Sequence, residues 1–114
     1  MRYAMLIGVD EKAPVSLQER ARRAAAFESV LDGMRMDGVL LASERLHPTD
    51  TATTVRCWDG GDVVIADGPF AETKEQIAGF FLVDCKDLDE AIEVAARVPA
   101  AWYGTIEIRP VWET

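Results

Sequence analysis

The apolar positions of this chain fall into blocks of two periods. Residues 1–8 are apolar at almost every position after Arg2, the pattern of a strand buried on both faces. A loop follows over residues 8–14. Ser16 with Glu19 three residues on is a capping box and opens a helix to about residue 37. Leu17, Ala21, Ala24, Phe27, Leu31 and Met34 recur in it at helical spacing, as a stripe expected to face a sheet. Gly33 inside it costs about 1 kcal/mol relative to alanine, which suggests close approach of another element, and Gly38 caps the end. Residues 39–46 read as a second strand, broken by His47-Pro48-Thr49-Asp50. Strand-like residues 52–58 and 62–66 flank Asp59-Gly60-Gly61, which has hairpin-turn chemistry. A strand over 78–85 follows. Asp87 and Glu90 open a helix to about residue 98, with Leu88, Ala91, Ile92, Ala95 and Val98 on one face and Glu93–Arg97 spaced as an i,i+4 pair. Pro99 stops it. Residues 105–112 form the last strand, where Pro110 marks an edge or a late bulge.

The order predicts an α+β fold, a ferredoxin-like βαββαβ plan with a β-hairpin inserted in the middle connection, as a single domain over residues 1–114. Two helices can cover one face of a four-stranded sheet. The other face should then be polar, yet Ala4 and Leu6 alternate with Tyr3, Met5 and Ile7, and Phe80 and Leu82 with Phe81 and Val83. Ile106 and Ile108 alternate with the charged Glu107 and Arg109. We therefore expect a homodimer in which two sheets pack face to face across a two-fold axis. The alternative, a hairpin folded back over its own sheet, meets the difficulty that a hairpin is too narrow for four strands.

The least generic stretch is Asp67-Gly68-Pro69-Phe70-Ala71-Glu72-Thr73-Lys74-Glu75-Gln76. Pro69 fixes φ and holds Gly68 in an extended or glycine-only conformation, so 67–70 is a rigid corner from which Phe70 is expected to point inward as an anchor. Thr73 and Gln76 have capping-box spacing and predict a short helical turn before the 78–85 strand. Asp67 either stiffens the corner through an Asx-type bond or lines a ligand cleft with Lys74. This stretch resembles the signature of the DGPF branch of the YCII-related protein family. The resemblance extends to Met1-Arg2-Tyr3-Ala4-Met5-Leu6-Ile7, Gly38-Val39-Leu40, Leu46-His47-Pro48, Thr51-Ala52-Thr53-Thr54-Val55-Arg56, Asp87-Leu88-Asp89-Glu90-Ala91 and Arg109-Pro110-Val111. It implies a ferredoxin-like fold that dimerises into an α/β barrel. YCII-type relatives have a His/Asp pair with the histidine on the first helix. Residues 17–36 contain no histidine, so that catalysis does not carry over. Relatives with this signature resemble domains found beside, or encoded near, sigma factors of the extracytoplasmic type, which implies a regulatory role through a sigma-factor protein partner.

Charge and composition narrow the classes. The formal net charge is −8, which argues against direct nucleic-acid contact. Arg20, Arg22 and Arg23 read as a solvated helix face rather than a phosphate site. No apolar run reaches membrane-spanning length and no signal peptide is visible, so the expectation is a cytoplasmic protein with no membrane role. Cys57 and Cys85 fall in strand-like segments and read as reduced, buried thiols. With one histidine and no Cys-x-x-Cys there is no credible zinc site, and no cofactor is implied.

His47, the only histidine, is a candidate general acid/base paired with Asp67 or Glu44, or else a turn residue. Arg45 and Arg56 are candidate anion binders or ion-paired structure. Trp58, Trp102, Tyr103 and Trp112 suit an aromatic pocket or core and dimer packing; Trp102-Tyr103-Gly104, expected in a loop after Pro99, is the better pocket candidate. The leading reading is a dimeric small-molecule-binding protein with a His47/Asp67 acid–base site and Arg45, Arg56, Phe70, Lys74, Trp102 and Tyr103 as ligand contacts. The alternatives are the regulatory partner module and a purely structural dimer.

Overall fold

Side-chain alternation on the first strand decides how the sheet is dressed. The computed structural model describes residues 1–113. The chain runs β1 (Arg2–Val9), α1 (Leu17–Met36), β2 (Leu40–Arg45), β3 (Thr53–Cys57), β4 (Val63–Asp67), β5 (Gln76–Asp84), α2 (Leu88–Arg97), α3 (Ala100–Tyr103) and β6 (Thr105–Pro110). On β1, Tyr3, Met5 and Ile7 are buried on the helix side, while Ala4 and Leu6 lie half-buried on the other. β1 is central: it pairs antiparallel with β5 and β6, and β2 pairs with the far edge of β5, giving the order β2-β5-β1-β6. The register sets Met5 between Phe81 and Ile108, and Tyr3 between Val83 and Pro110. Pro110, with no N–H to donate, ends an edge strand, where a proline is tolerated.

The helices close one face. α2 contributes Ala91, Val94 and Ala95, with Val98 and Ala100 following, and α1 contributes Phe27, Val30, Leu31 and Met34. Phe27 meets Phe81 edge-on, with ring centroids 6.4 Å apart. Burying each of the larger side chains stabilises the fold by about 1.5–3 kcal/mol. The helix ends follow their local chemistry. Ser16 Oγ accepts from the Glu19 N–H at 3.0 Å and Asp87 Oδ1 from the Glu90 N–H at 2.9 Å. At the end of α1, Gly38 takes φ +70° and donates to the Arg35 carbonyl while Val39 donates to that of Met34, a Schellman ending. None of the helices is long and apolar enough to cross a membrane, among the described residues.

Several expectations are corrected. Leu17 is 85% exposed and Ala21 and Ala24 are exposed too. At 3.6 residues per turn, Leu17 and Ala21 are rotated roughly 80° and 120° away from Phe27, whereas Arg23 lies within about 40° of it. Gly33 faces open space, with no close approach. Leu88 and Ile92, at the margin of the α2 stripe, are half exposed. Arg97 donates to the Glu93 carbonyl rather than its carboxylate. Residues 73–76 form no helical turn: the Gln76 side-chain amide donates to the carbonyls of Ala71 and Thr73, so the residue that would cap a helix pins a loop and β5 begins there. Gly68 has φ +96°, and the corner it makes with Pro69 turns Phe70 outward, 78% exposed, rather than inward. Cys57 is exposed, and Cys85 alone is a buried thiol. Trp102 and Tyr103 end a one-turn helix rather than lying in a loop.

β3 and β4 form a separate two-stranded ribbon. Asp59 and Gly60, both at positive φ, and the Gly61 N–H to Trp58 carbonyl bond make its turn of the I′ kind. The ribbon barely touches the four-stranded sheet. The molecule measures 47 × 44 × 18 Å with a radius of gyration of 16.2 Å, against about 13 Å for a compact chain of this length.

Two glycines give opposite predictions. A Cβ at Gly104 would sit inside the van der Waals radius of the Gly8 carbonyl oxygen, so Gly104→Ala should lower stability by about 2 kcal/mol or more. Gly33→Ala, in an open helix interior, should raise it by about 1 kcal/mol. Urea unfolding of both variants checks the pair.

Candidate functional site

Once Phe27, Val30 and Met34 are docked on the sheet, the helical period carries the inward face of α1 back to Arg23 and Glu19. Over its first two turns that face is therefore ionic. Arg22 donates from Nε to Glu19 Oε2 at 2.9 Å and from Nη2 to Oε1 at 3.0 Å, and Arg23 Nε donates to Oε1 at 3.1 Å. The Arg23 guanidinium lies 3.6 Å from the ring centroid of Tyr103, and that of Arg22 lies 5.4 Å from the Trp102 ring. Two cation–π stacks thus hold the first turns of α1 against α3. The three arginines expected to form a solvated face are split: Arg20 and Arg22 are exposed, and Arg23 turns in.

Arg45 reaches the same place from the sheet. It is the last residue of β2, paired with Gly79 of β5, which pairs in turn with the buried Ile7. That register puts Arg45 on the helix side. Gly79 has to be glycine there, since a Cβ would come within 2.7 Å of the Glu44 carbonyl oxygen. Burial pushes the Tyr103 phenol up from its ordinary pKa; the guanidiniums of Arg23 and Arg45 pull it back, and Glu19 adds a smaller upward push. The hydrogen bonds from Arg22 and Arg23 hold the Glu19 carboxyl at about 2. Its carboxylate in turn raises the Arg22 pKa. Arg23 is engaged by Glu19, but Arg45 forms no ion pair or side-chain hydrogen bond among the described residues. The arrangement is a surface corner with a locked guanidinium, an exposed and unengaged one, a phenol and an indole. Its chemistry suits a small anion with a flat apolar body.

The other expected site residues lie elsewhere. His47 is exposed just beyond β2. The next residues are anchored by Glu11, whose carboxylate accepts from the Thr49 N–H at 2.9 Å and from Thr49 Oγ1 at 2.6 Å. Asp67 is the exposed last residue of β4, opposite Thr53, and the corner after it is held by Thr54 Oγ1 donating to the Gly68 carbonyl at 2.8 Å. The side chains of His47 and Asp67 make no hydrogen bond to each other. Lys74 is exposed, and Arg56 sits opposite Val64 on the ribbon. Of the expected set, the structure gathers Arg45, Trp102 and Tyr103. Sequence reasoning missed Arg22, Arg23 and Glu19 as their companions. Stepping back by fours from Phe27 was the signal that could have found two of them. A shallow groove of about 350 Å³ between α2 and β6 is lined by Ile92, Ala95, Ala96, Ala101, Ile106 and Ile108 with no charged side chain, and the groove between α1 and α2 has only Arg97 as a charged residue. The chemistry is in neither.

Glu19 sets an acid limit on this corner. Its folded-state pKa is depressed, so its stabilisation is complete above the ordinary value of 4.5 and is lost as pH falls toward about 2. The stability difference between the wild type and Glu19→Gln should be constant from pH 5 to 7 and vanish on acidification. Urea midpoints measured across pH check it.

Residues 1–114 match the model of the YCII-related domain. An uncharacterised protein of Rhizobium meliloti (strain 1021) is 39% identical over 115 residues, which cover 97% of this chain and 92% of that one. Among solved structures, 5-chloro-2-hydroxyhydroquinone dehydrochlorinase (TftG) from Burkholderia phenoliruptrix AC1100, in complex with 2,5-dihydroxybenzoquinone, matches with a TM-score of 0.56 and 16% identity, covering 99% of this chain and 94% of that chain. The two share an α+β fold of antiparallel sheet and helices, and the chain described here belongs to the YCII-related family.

Proposed function

We propose that this protein is a homodimeric α/β barrel that binds a small, flat anion, an aromatic carboxylate or phenolate, in the cleft between the first turns of α1 and the end of the sheet. The observation that carries this is the inward turn of Arg23 onto Tyr103, with Arg45 facing them unengaged, in a chain whose net charge is −8. Arg22 and Arg23 are already paired with Glu19, which leaves Arg45 as the guanidinium able to take a further negative group. Trp102, half exposed under Arg22, supplies a stacking edge for the body of the ligand. The ligand of the dehydrochlorinase of similar fold, 2,5-dihydroxybenzoquinone, is likewise a planar oxygenated ring of small size.

The dimer follows from the other side of the sheet. Leu6, Phe80 and Leu82 lie on the side of the sheet away from the helices, half-buried among their strand neighbours. Packing that face against its copy across a two-fold axis gives the barrel.

Calorimetry with benzoate and 2,5-dihydroxybenzoquinone as probes tests the cleft. Both should bind the wild type, and Arg45→Ala should weaken binding about tenfold or more, the scale of a lost charge-assisted hydrogen bond. Arg56→Ala, on the ribbon, should change nothing. No binding of either probe, or equal losses in the two variants, would contradict the assignment.

A further inference from the structure

The four-stranded sheet has two outer strands, and they are protected unequally. β2 is interrupted by a register shift between Leu40 and Ala42, the kind of irregularity that blunts an edge. β6 runs in unbroken register with β1 from Thr105 to Pro110 and has no strand on its other side. The Val111 N–H donates to the Arg2 carbonyl, so by alternation Arg109 and Glu107 turn their backbone groups toward β1, and Ile106 and Ile108 turn theirs outward. Such an outward row of donors and acceptors is a template for another strand.

We infer that β6 pairs antiparallel with β6 of a second copy of this chain, Ile108 opposite Ile108. Charge selects both the occupant and the register. Glu107 and Arg109 pair with Leu6 and Ala4 of β1, so they lie on the side of the sheet away from the helices. Both are exposed, and they are bonded to each other along the strand. Outward backbone groups can meet only outward groups, which restricts self-pairing to alignments centred on one residue of the strand. Centred on Glu107 it opposes two carboxylates, and centred on Arg109 two guanidiniums. Centred on Ile106 it sets Glu107 against Thr105 and leaves Arg109 beyond the ladder. Centred on Ile108 it places each Glu107 opposite the Arg109 of the other copy, twice by symmetry. With the bond along each strand, the four side chains make a square of alternating charge. Ile108 exchanges both backbone bonds with its copy. The Ile106 N–H donates to the Pro110 carbonyl of the second copy, so Pro110 closes the ladder as an acceptor. On the helix side a second Ile106–Ile108 row comes to lie beside the first, along the groove that Ile92 and Ala95 line.

This interface uses an edge of the sheet, and the two-fold packing proposed above uses a face, so the two are independent. Together they make a tetramer. Charge reversal tests the edge, because both side chains are exposed in the single chain and each variant should keep the wild-type circular dichroism. Sedimentation across a dilution series should show association of the wild type that Glu107→Arg and Arg109→Glu each weaken about tenfold or more, by setting like charges opposite. The double swap, and an equal mixture of the two single variants, should each restore it. Hydrogen exchange should find the Ile106 and Ile108 amides slowed about tenfold or more in the assembled wild type and fast in either single variant. Association indifferent to both reversals overturns the edge pairing and leaves the face-to-face packing standing. Association lost in the single variants but not recovered on mixing overturns the pairing too. Ile106 and Ile108 amides that exchange freely in the associated wild type also overturn it and leave the edge to a foreign strand. A monomer at all concentrations overturns both interfaces.

Discussion

A docked helix cannot choose which side it shows from one turn to the next. In α1 the residues that anchor the helix, Phe27 against Phe81 and Met34 in the core, fix the rotation of all twenty residues. At that rotation Arg23 must face the sheet, with Glu19 at the flank of the same face bonded to it, and the aliphatic Leu17 faces water. The ionic group is therefore held inward by packing a full turn away, and the fold tolerates it because each charge finds a partner: Glu19 takes both neighbouring arginines, and Arg23 lies on a phenol ring. The chain thus contains a polar, partly shielded corner inside the architecture that makes its hydrophobic core.

The strands that build the core also bring the rest of the corner together. Antiparallel pairing about β1 delivers the end of β2 and the start of β6, with the short α3 before it, to one end of the sheet. Gly79 and Gly104 keep the backbones close enough there for this to happen. The same alternation leaves Leu6, Phe80 and Leu82 on a face that two helices cannot reach. The corner and the open face are two consequences of one arrangement, a sheet with helices on one side only. The ribbon is a third region of exposed apolar surface.

How much of this could be read from the sequence depended on the range of the interactions. The caps at Ser16 and Asp87, the Asp59-Gly60 turn and the positive φ at Gly68 are set by residues a few positions apart, and their residue types announce them. The core strands were equally plain, because Tyr3, Met5 and Ile7 alternate with a second apolar set. Alanine misled: Ala21 and Ala24 fit an apolar stripe by type but carry too little surface to decide a helix's rotation. Thr73 and Gln76 have helix-capping spacing, yet the same amide serves equally well as a donor to loop carbonyls. Phe70 leaves a rigid corner whose direction only the surrounding fold sets. The cleft joins Arg23 to Tyr103 across eighty positions, and no local pattern links them. Arg45 stood out as a candidate anion binder by its charge, and only the fold shows which side chains lie near it.

The central claim is that the corner of Arg23, Arg45 and Tyr103 is where a ligand is held. Arginine side-chain NMR during titration with benzoate reads it directly. The account predicts saturable shifts of the Arg45 and Arg23 Nε–H resonances at a common affinity, with Arg56 and Arg97 unmoved. Shifts that spare Arg45, or that appear in the ribbon and the helix grooves instead, would contradict it.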